Sequence, residues 1–163
     1  MIFVKENKKQ YTVCFTGHRQ IPSGEYETLA ARLREVVARL IERGFCYFGV
    51  GGALGFDTLA AETVLDFKEK YPYIKLILVL PCRDQTRYWS DHDKERYEHI
   101  CSRADKVTCF YDKYRRGCMH ERNRHLVDHS SVCVCYLTHY GGGTDYTVSY
   151  AEKLGVEIIN LAL

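Results

Sequence analysis

Two glycine-rich stretches, Gly51-Gly52-Ala53-Leu54-Gly55 and Gly141-Gly142-Gly143-Thr144-Asp145, each stand between an apolar run and an amphipathic one. Without a Cβ the backbone comes close to a neighbouring group. A helix starting behind such a loop aims its free N–H groups at whatever sits there, which favours an anion. Two such loops point to a nucleotide-like ligand, although a tight turn also accounts for either one. Gly51 to Gly55 lacks the spacing of the dinucleotide fingerprint, and no Walker Lys-Ser/Thr follows. Asp57 is placed to accept ribose hydroxyls or to complement a helix N-terminus; Glu62, a turn further on, reads as structural. Lys113, Arg115, Arg116, Arg122 and Arg124 crowd into a dozen residues. Guanidinium offers a fork to phosphate or carboxylate, and Arg122 with Asn123 falls on a helix near a strand end. His18 and Arg19 leave the first strand, where His18 can act as acid or base or cap a turn. Gln85 and Trp89 can bond to and stack on a base, though a Trp at a loop–helix junction also serves as a packing anchor.

Alternating strands and helices must position these groups. Tyr11 to Phe15 reads as a strand ending in Thr16-Gly17-His18-Arg19. A helix then starts near Pro22 with Ser23 as N-cap, carries Leu29, Leu33, Val37 and Leu40 on one face, and closes at Gly44. Phe45 to Val50 leads into the first glycine loop and a helix that ends at Tyr71-Pro72. Ile74 to Leu80 is a continuous aliphatic run, expected for a strand covered on both faces and stopping at Pro81. A helix opens at Ser90, a strand covers 106–110 and a helix 118–129. Val132 to Leu137, the second glycine loop, a helix to Gly155 and a strand from Glu157 finish the chain. The expected fold is α/β: a Rossmann-like, doubly wound, mostly parallel sheet of about six strands with helices on both faces. Ligands in such sheets bind beyond the carboxyl ends of the strands, which gathers Thr16 to Arg19, Gly51 to Gly55, Pro81 to Gln85 and Gly141 to Thr144 on one rim.

The 163 residues, 46% hydrophobic and 27% charged, suit one compact domain over 1–163, with residues 1–10 as a flexible or peripheral segment. A net charge of +2 does not advertise a nucleic-acid or membrane surface. No signal or membrane-length apolar run is visible, so a cytoplasmic location is expected. Of eight cysteines, Cys14, Cys109, Cys133 and Cys135 fall in strands and read as reduced core thiols. There is no Cys-x-x-Cys pair, and His125 with His129 has no third ligand at a suitable spacing, so neither metal nor cofactor is expected.

Thr16-Gly17-His18-Arg19, Gly51 to Asp57, Arg122-Asn123-Arg124 with Val127-Asp128, and Gly142-Gly143-Thr144 with Thr147-Val148 occur in this order along nearly the whole chain. As a set they resemble the SLOG superfamily, Rossmann-like domains that include DprA and the LOG phosphoribohydrolases, and within it the YpsA-like branch. The resemblance implies a nucleotide-derived ligand across the carboxyl edge of the sheet, and a homodimer. Met119 to Asn123 is similar to the LOG segment whose Arg is catalytic, which points to Arg122. Gly142-Gly143-Thr144 is similar to the end of the LOG loop Pro-Gly-Gly-x-Gly-Thr-x-x-Glu. Here, however, no proline precedes the glycines, and Thr147 stands at the Glu position. Asp145, the one acid in this loop, comes two residues early. The expectation is therefore a sensor or binding module for a nucleotide-like small molecule. The enzyme alternative is N-glycosidic cleavage using Arg122 with Asp145, Asp57, Glu62 or His18, since such chemistry needs a carboxylate and acid–base help. DprA-like binding of single-stranded DNA needs a basic groove with stacking aromatics, and the near-neutral charge weighs against nucleic acid.

Overall fold

The computed structural model describes residues 7–162. Residues 8–11 form a short 3-10 turn that leads into β1 (Thr12–Gly17); the part of the proposed peripheral segment over 1–6 lies outside the described residues. The order is then α1 (Tyr26–Glu42), β2 (Tyr47–Val50), α2 (Phe56–Lys70), β3 (Lys75–Cys82), α3 (Asp91–Arg103), β4 (Lys106–Tyr111), α4 (Cys118–Asp128), β5 (Val132–Tyr136), α5 (Gly143–Lys153) and β6 (Glu157–Asn160). All six strands are parallel in the order β4-β3-β2-β1-β5-β6. The sheet is Rossmann-like, as its patterning suggests.

Alternation along the strands divides the core between two faces. Val13 and Phe15 of β1, Phe48 and Val50 of β2, and Leu76, Leu78 and Leu80 of β3 pack with Leu33, Val37 and Leu40 of α1, Phe56 and Val64 of α2, and Ile100 of α3. Cys14, Cys133 and Cys135 face the other way, onto Leu126 and Val127 of α4 and Val148 and Ala151 of α5. Gly49, Cys14 and Cys133 are register partners, so a row of small groups crosses this face. A Cβ at Gly49 would stand 3.0 Å from Leu126; the missing side chain is what seats α4 close to the sheet. Among the described residues no cysteine pair forms a disulfide.

Two boundaries and one burial pattern differ from the sequence reading. The first helix starts at Tyr26, without a side-chain cap, because the Glu25 amide bonds to the Pro22 carbonyl and closes a turn around Ser23. β3 runs through Pro81 to Cys82: β2 has ended opposite Leu78, and beyond that point one side of β3 is an edge, where proline's missing N–H is tolerated. Ile77 is only half-buried, so β3 is not fully covered on its α4 side. Ser90 does cap α3, accepting from the Asp93 amide at 3.1 Å. Among the described residues no helix is long and apolar enough to cross a membrane.

Candidate functional site

Strand order reverses between β1 and β5, and a doubly wound sheet opens its ligand crevice at such a switch point. A cleft of about 290 Å³ lies there, lined by Thr16 and Gly17 at the end of β1, by His18 and Arg19 after it, and by His139, Gly142, Gly143 and Thr144 after β5. Ala53 from the first glycine loop, Asp57 from the start of α2, and Met119, Arg122 and Asn123 from α4 close it. A wider depression of about 600 Å³ shares His18, Arg19 and His139 and extends over Gln20, Ile21 and Pro22.

The floor is charged and buried. Arg122 is 4% exposed and Asp57 7%. Arg122 Nη1 donates to the Gly51 carbonyl and Nε to Asn123 Oδ1 at 2.7 Å; Asp57 Oδ2 accepts from the Ala53 amide at 3.1 Å. Burial pushes the Asp57 carboxyl above its ordinary value, against the pull of Arg122, the Ala53 amide and Arg19. Burial lowers Arg122 and Asp57 offsets part of that, but a guanidinium keeps its proton in any protein setting. Arg19 reaches both electrostatically. It is exposed, and among the described residues its guanidinium has no hydrogen-bond or ion-pair partner.

The two histidines form the outer wall. Their rings stack at 3.9 Å with 7° between planes, and His18 Nε2 accepts from the Thr138 amide at 2.9 Å. That bond needs Nε2 unprotonated. Burial first, and His139 second, hold His18 below 6.5, so it is neutral at pH 7.

The glycine loops behave differently. Gly142 and Gly143 face open space: an added Cβ would meet nothing within 4 Å at either. They form the N-cap and first residue of α5, whose first N–H groups have no intrahelical partner, and both line the cleft. Gly51, Gly52 and Gly55 do not line the cleft. A Cβ at Gly51 would fall 2.5 Å from Arg122 Nη1, and one at Gly55 2.2 Å from the Arg19 carbonyl oxygen. At Gly52, φ is +73° and Leu80, Gln85 and Tyr97 crowd the missing side chain. This loop packs against its own chain.

Other expected residues also lie elsewhere. Trp89 packs edge-on to Tyr97 of α3 at 5.5 Å, and Gln85 Nε2 donates to Tyr97 Oη at 3.3 Å; both sit beyond β3, two strands from the switch point. Asp145 Oδ2 accepts the Gly141 amide at 2.9 Å and lines a separate depression with Tyr146 and Ser149. Glu62 is paired with Arg96. Thr147 is 2% exposed, with its hydroxyl on the Gly143 carbonyl at 2.9 Å. Asp57 is thus the one carboxylate in the cleft lining among the described residues. His139 and Met119 line it too. The signal for His139 was its place, two residues before Gly141 on a strand-end loop. Among the described residues no group of three or more His, Cys, Asp or Glu could hold a metal.

A six-stranded parallel sheet with its cleft at the switch point defines a Rossmann-like α/β protein. Residues 13–157 match the family described as the YspA SLOG family, and the chain belongs to that family. It is 32% identical over 138 residues to an uncharacterised SPbeta prophage-derived protein, YoqJ, of Bacillus subtilis, covering 77% of this chain and 81% of the relative. It is 27% identical over 151 residues to a UPF0398 protein of Bacillus pumilus, covering 86% and 81%. Among solved structures, DNA processing protein A from Streptococcus pneumoniae superposes with a TM-score of 0.68 at 14% identity, over 94% of this chain and 50% of that one. The Helicobacter pylori protein of the same name, described for its single-stranded DNA binding mode, gives 0.65 at 20% identity, over 93% and 65%. The likeness to these two structures is one of fold.

Proposed function

We propose that the cleft binds a nucleotide or nucleotide-derived metabolite. Its phosphate sits against the N-terminus of α5, where the amides of Gly143 and Thr144 are free to donate, and Arg19 supplies the countercharge. Asp57 receives a ribose hydroxyl. The observation that carries this reading is the unobstructed Gly142-Gly143 helix start opposite an exposed, unpartnered arginine. The test is a thermal-shift panel of nucleoside mono- and diphosphates and ADP-ribose-type compounds on wild type, Arg19→Ala and Gly143→Val. A ligand shift in wild type that both variants lose supports the site; one that persists in both places the ligand elsewhere.

A second reading has its own support. On the same rim, Arg87 lies 4.8 Å from the Tyr88 ring and 5.2 Å from the Tyr114 ring, and Arg115 lies 4.9 Å from Tyr111. Exposed aromatics interleaved with arginine suit a single strand, and a DprA structure of similar fold is described as binding single-stranded DNA. Steep, salt-dependent binding of a short oligonucleotide, lost in Tyr88→Ala/Tyr114→Ala, would establish it. Hydrolysis of an N-glycosidic bond would rest on Asp57 as acid, beside Arg122. Free base released from a nucleoside monophosphate by wild type, and not by Asp57→Asn, is its measure.

A further inference from the structure

A second built surface lies on the α4 side of the sheet, at the opposite, amino end of the strands. Register places Gly49, Ile77 and Lys106 in one row across β2, β3 and β4, with Tyr47 beside Lys75 and Val79 beside Thr108. Their neighbours of the other parity fill the α1–α2–α3 core, so these side chains all point to the α4 side. α4 crosses only part of this face. What it leaves open is a groove of about 510 Å³, with an apolar floor of Ile77, Val79 and the Tyr47 ring. His125, Leu126 and His129 of α4 form its wall.

The rim of this groove is cationic. Lys8, Lys9, Lys75 and Lys106 surround it against one carboxylate, Asp105. Asp105 is shared: it accepts from Lys68 Nζ at 2.9 Å and from the Leu76 amide at 2.8 Å, and lies 3.9 Å from Lys75 Nζ. Among the described residues Lys9 and Lys106 have no ion pair, and Lys8 leans over the Tyr47 ring at 5.6 Å. An apolar floor with a net cationic rim selects a ligand that is apolar on one side and anionic on the other. An extended chain presents alternate side chains to opposite sides, so acidic residues alternating with aliphatic ones satisfy both at once.

We infer that this groove is a docking site for an extended, acidic segment of a partner protein, with aliphatic residues at alternate positions. It is a separate site from the proposed nucleotide cleft, which lies at the other end of the sheet.

The experiment is fluorescence anisotropy of a labelled peptide, Asp-Leu-Asp-Leu-Asp-Leu, titrated with the full chain at low salt. Saturable binding is expected. Lys9→Glu/Lys106→Glu should weaken it at least tenfold, and Thr108→Trp, which fills the groove, should do the same, with the melting temperature of each variant reported alongside. A scrambled peptide with the leucines and aspartates in two blocks should bind at least fivefold more weakly. Equal binding by wild type and the charge-reversed protein overturns the proposal. So does equal competition by a dT12 oligonucleotide, which would make the rim a general polyanion surface. If Ile2→Ser/Phe3→Ser raises the peptide affinity tenfold, the groove's occupant is this chain's own N-terminal segment, and the proposal fails.

Discussion

The two glycine loops look alike in sequence and differ in their surroundings. Gly51 to Gly55 is glycine-rich because the chain's own atoms fill the space where side chains would stand: Arg122 at Gly51, and the Arg19 backbone at Gly55. Gly142-Gly143 is glycine-rich with nothing in that space. Filled glycines serve packing, whereas open glycines at a helix start leave room for something from outside. A glycine pattern locates a close approach; it does not say whether the partner is internal or a ligand.

Substitutions should break this comparison in order of size. Gly55→Ala combines a φ of +76° with a Cβ 2.2 Å from a backbone oxygen. It should cost about 3 kcal/mol or more and lower the melting temperature by about 10 °C, read by calorimetry. Gly51→Ala presses on a buried guanidinium that cannot swing away without losing Gly51 and Asn123 as acceptors. About 1–3 kcal/mol should be lost in urea unfolding, with nucleotide affinity falling as Arg122 shifts. Gly143→Val should leave stability within about 0.5 kcal/mol while reducing nucleotide affinity about tenfold by calorimetric titration, a loss of ~1.4 kcal/mol. Were Gly143→Val to unfold the protein, or Gly55→Ala to leave it intact, the distinction between filled and open loops would collapse.

The smallest effect is on pH dependence. His18 is held below 6.5 in the folded protein, so the unfolded chain takes up the proton first as pH falls. Its contribution is complete above about 6.5 and drains away below that, down through the folded value. His18→Gln keeps an acceptor for the Thr138 amide and does not titrate. The difference in melting temperature between pH 7 and pH 5.5 should shrink in this variant. His125, also lowered by burial first and by His129 next, should preserve part of the slope.

The element sequence, the parallel sheet and the carboxyl-edge rim were legible because periodicity of 3.6 and 2 survives in Leu29, Leu33, Val37 and Leu40, and in the division of Cys14 from Val13 and Phe15. Strand order was not, since it depends on contacts between segments far apart in sequence. That is why four rim segments looked equivalent when the switch point singles out those after β1 and β5. Gln85 and Trp89 were plausible by the carboxyl-edge rule and were displaced by topology, two strands away. Asp145 was plausible by proximity in sequence. A short acidic side chain in a glycine turn bonds its own backbone instead, as Asp145 does with Gly141. His139 escaped notice because nothing in its neighbours marks a stacked pair with a residue 121 positions earlier.

α4 has 11 residues, about 16 Å at 1.5 Å per residue. Met119, Arg122 and Asn123 near its start wall the cleft, while His125, Leu126 and His129 at its end wall the cationic groove. One helix is therefore the shared boundary of both cavities, and the close approach of Leu126 to Gly49 seats its groove end on the sheet. A tilt that widens one end is felt at the other. Should an acidic segment at the groove alter nucleotide affinity by some factor, thermodynamic reciprocity requires the nucleotide to alter affinity for the segment by the same factor.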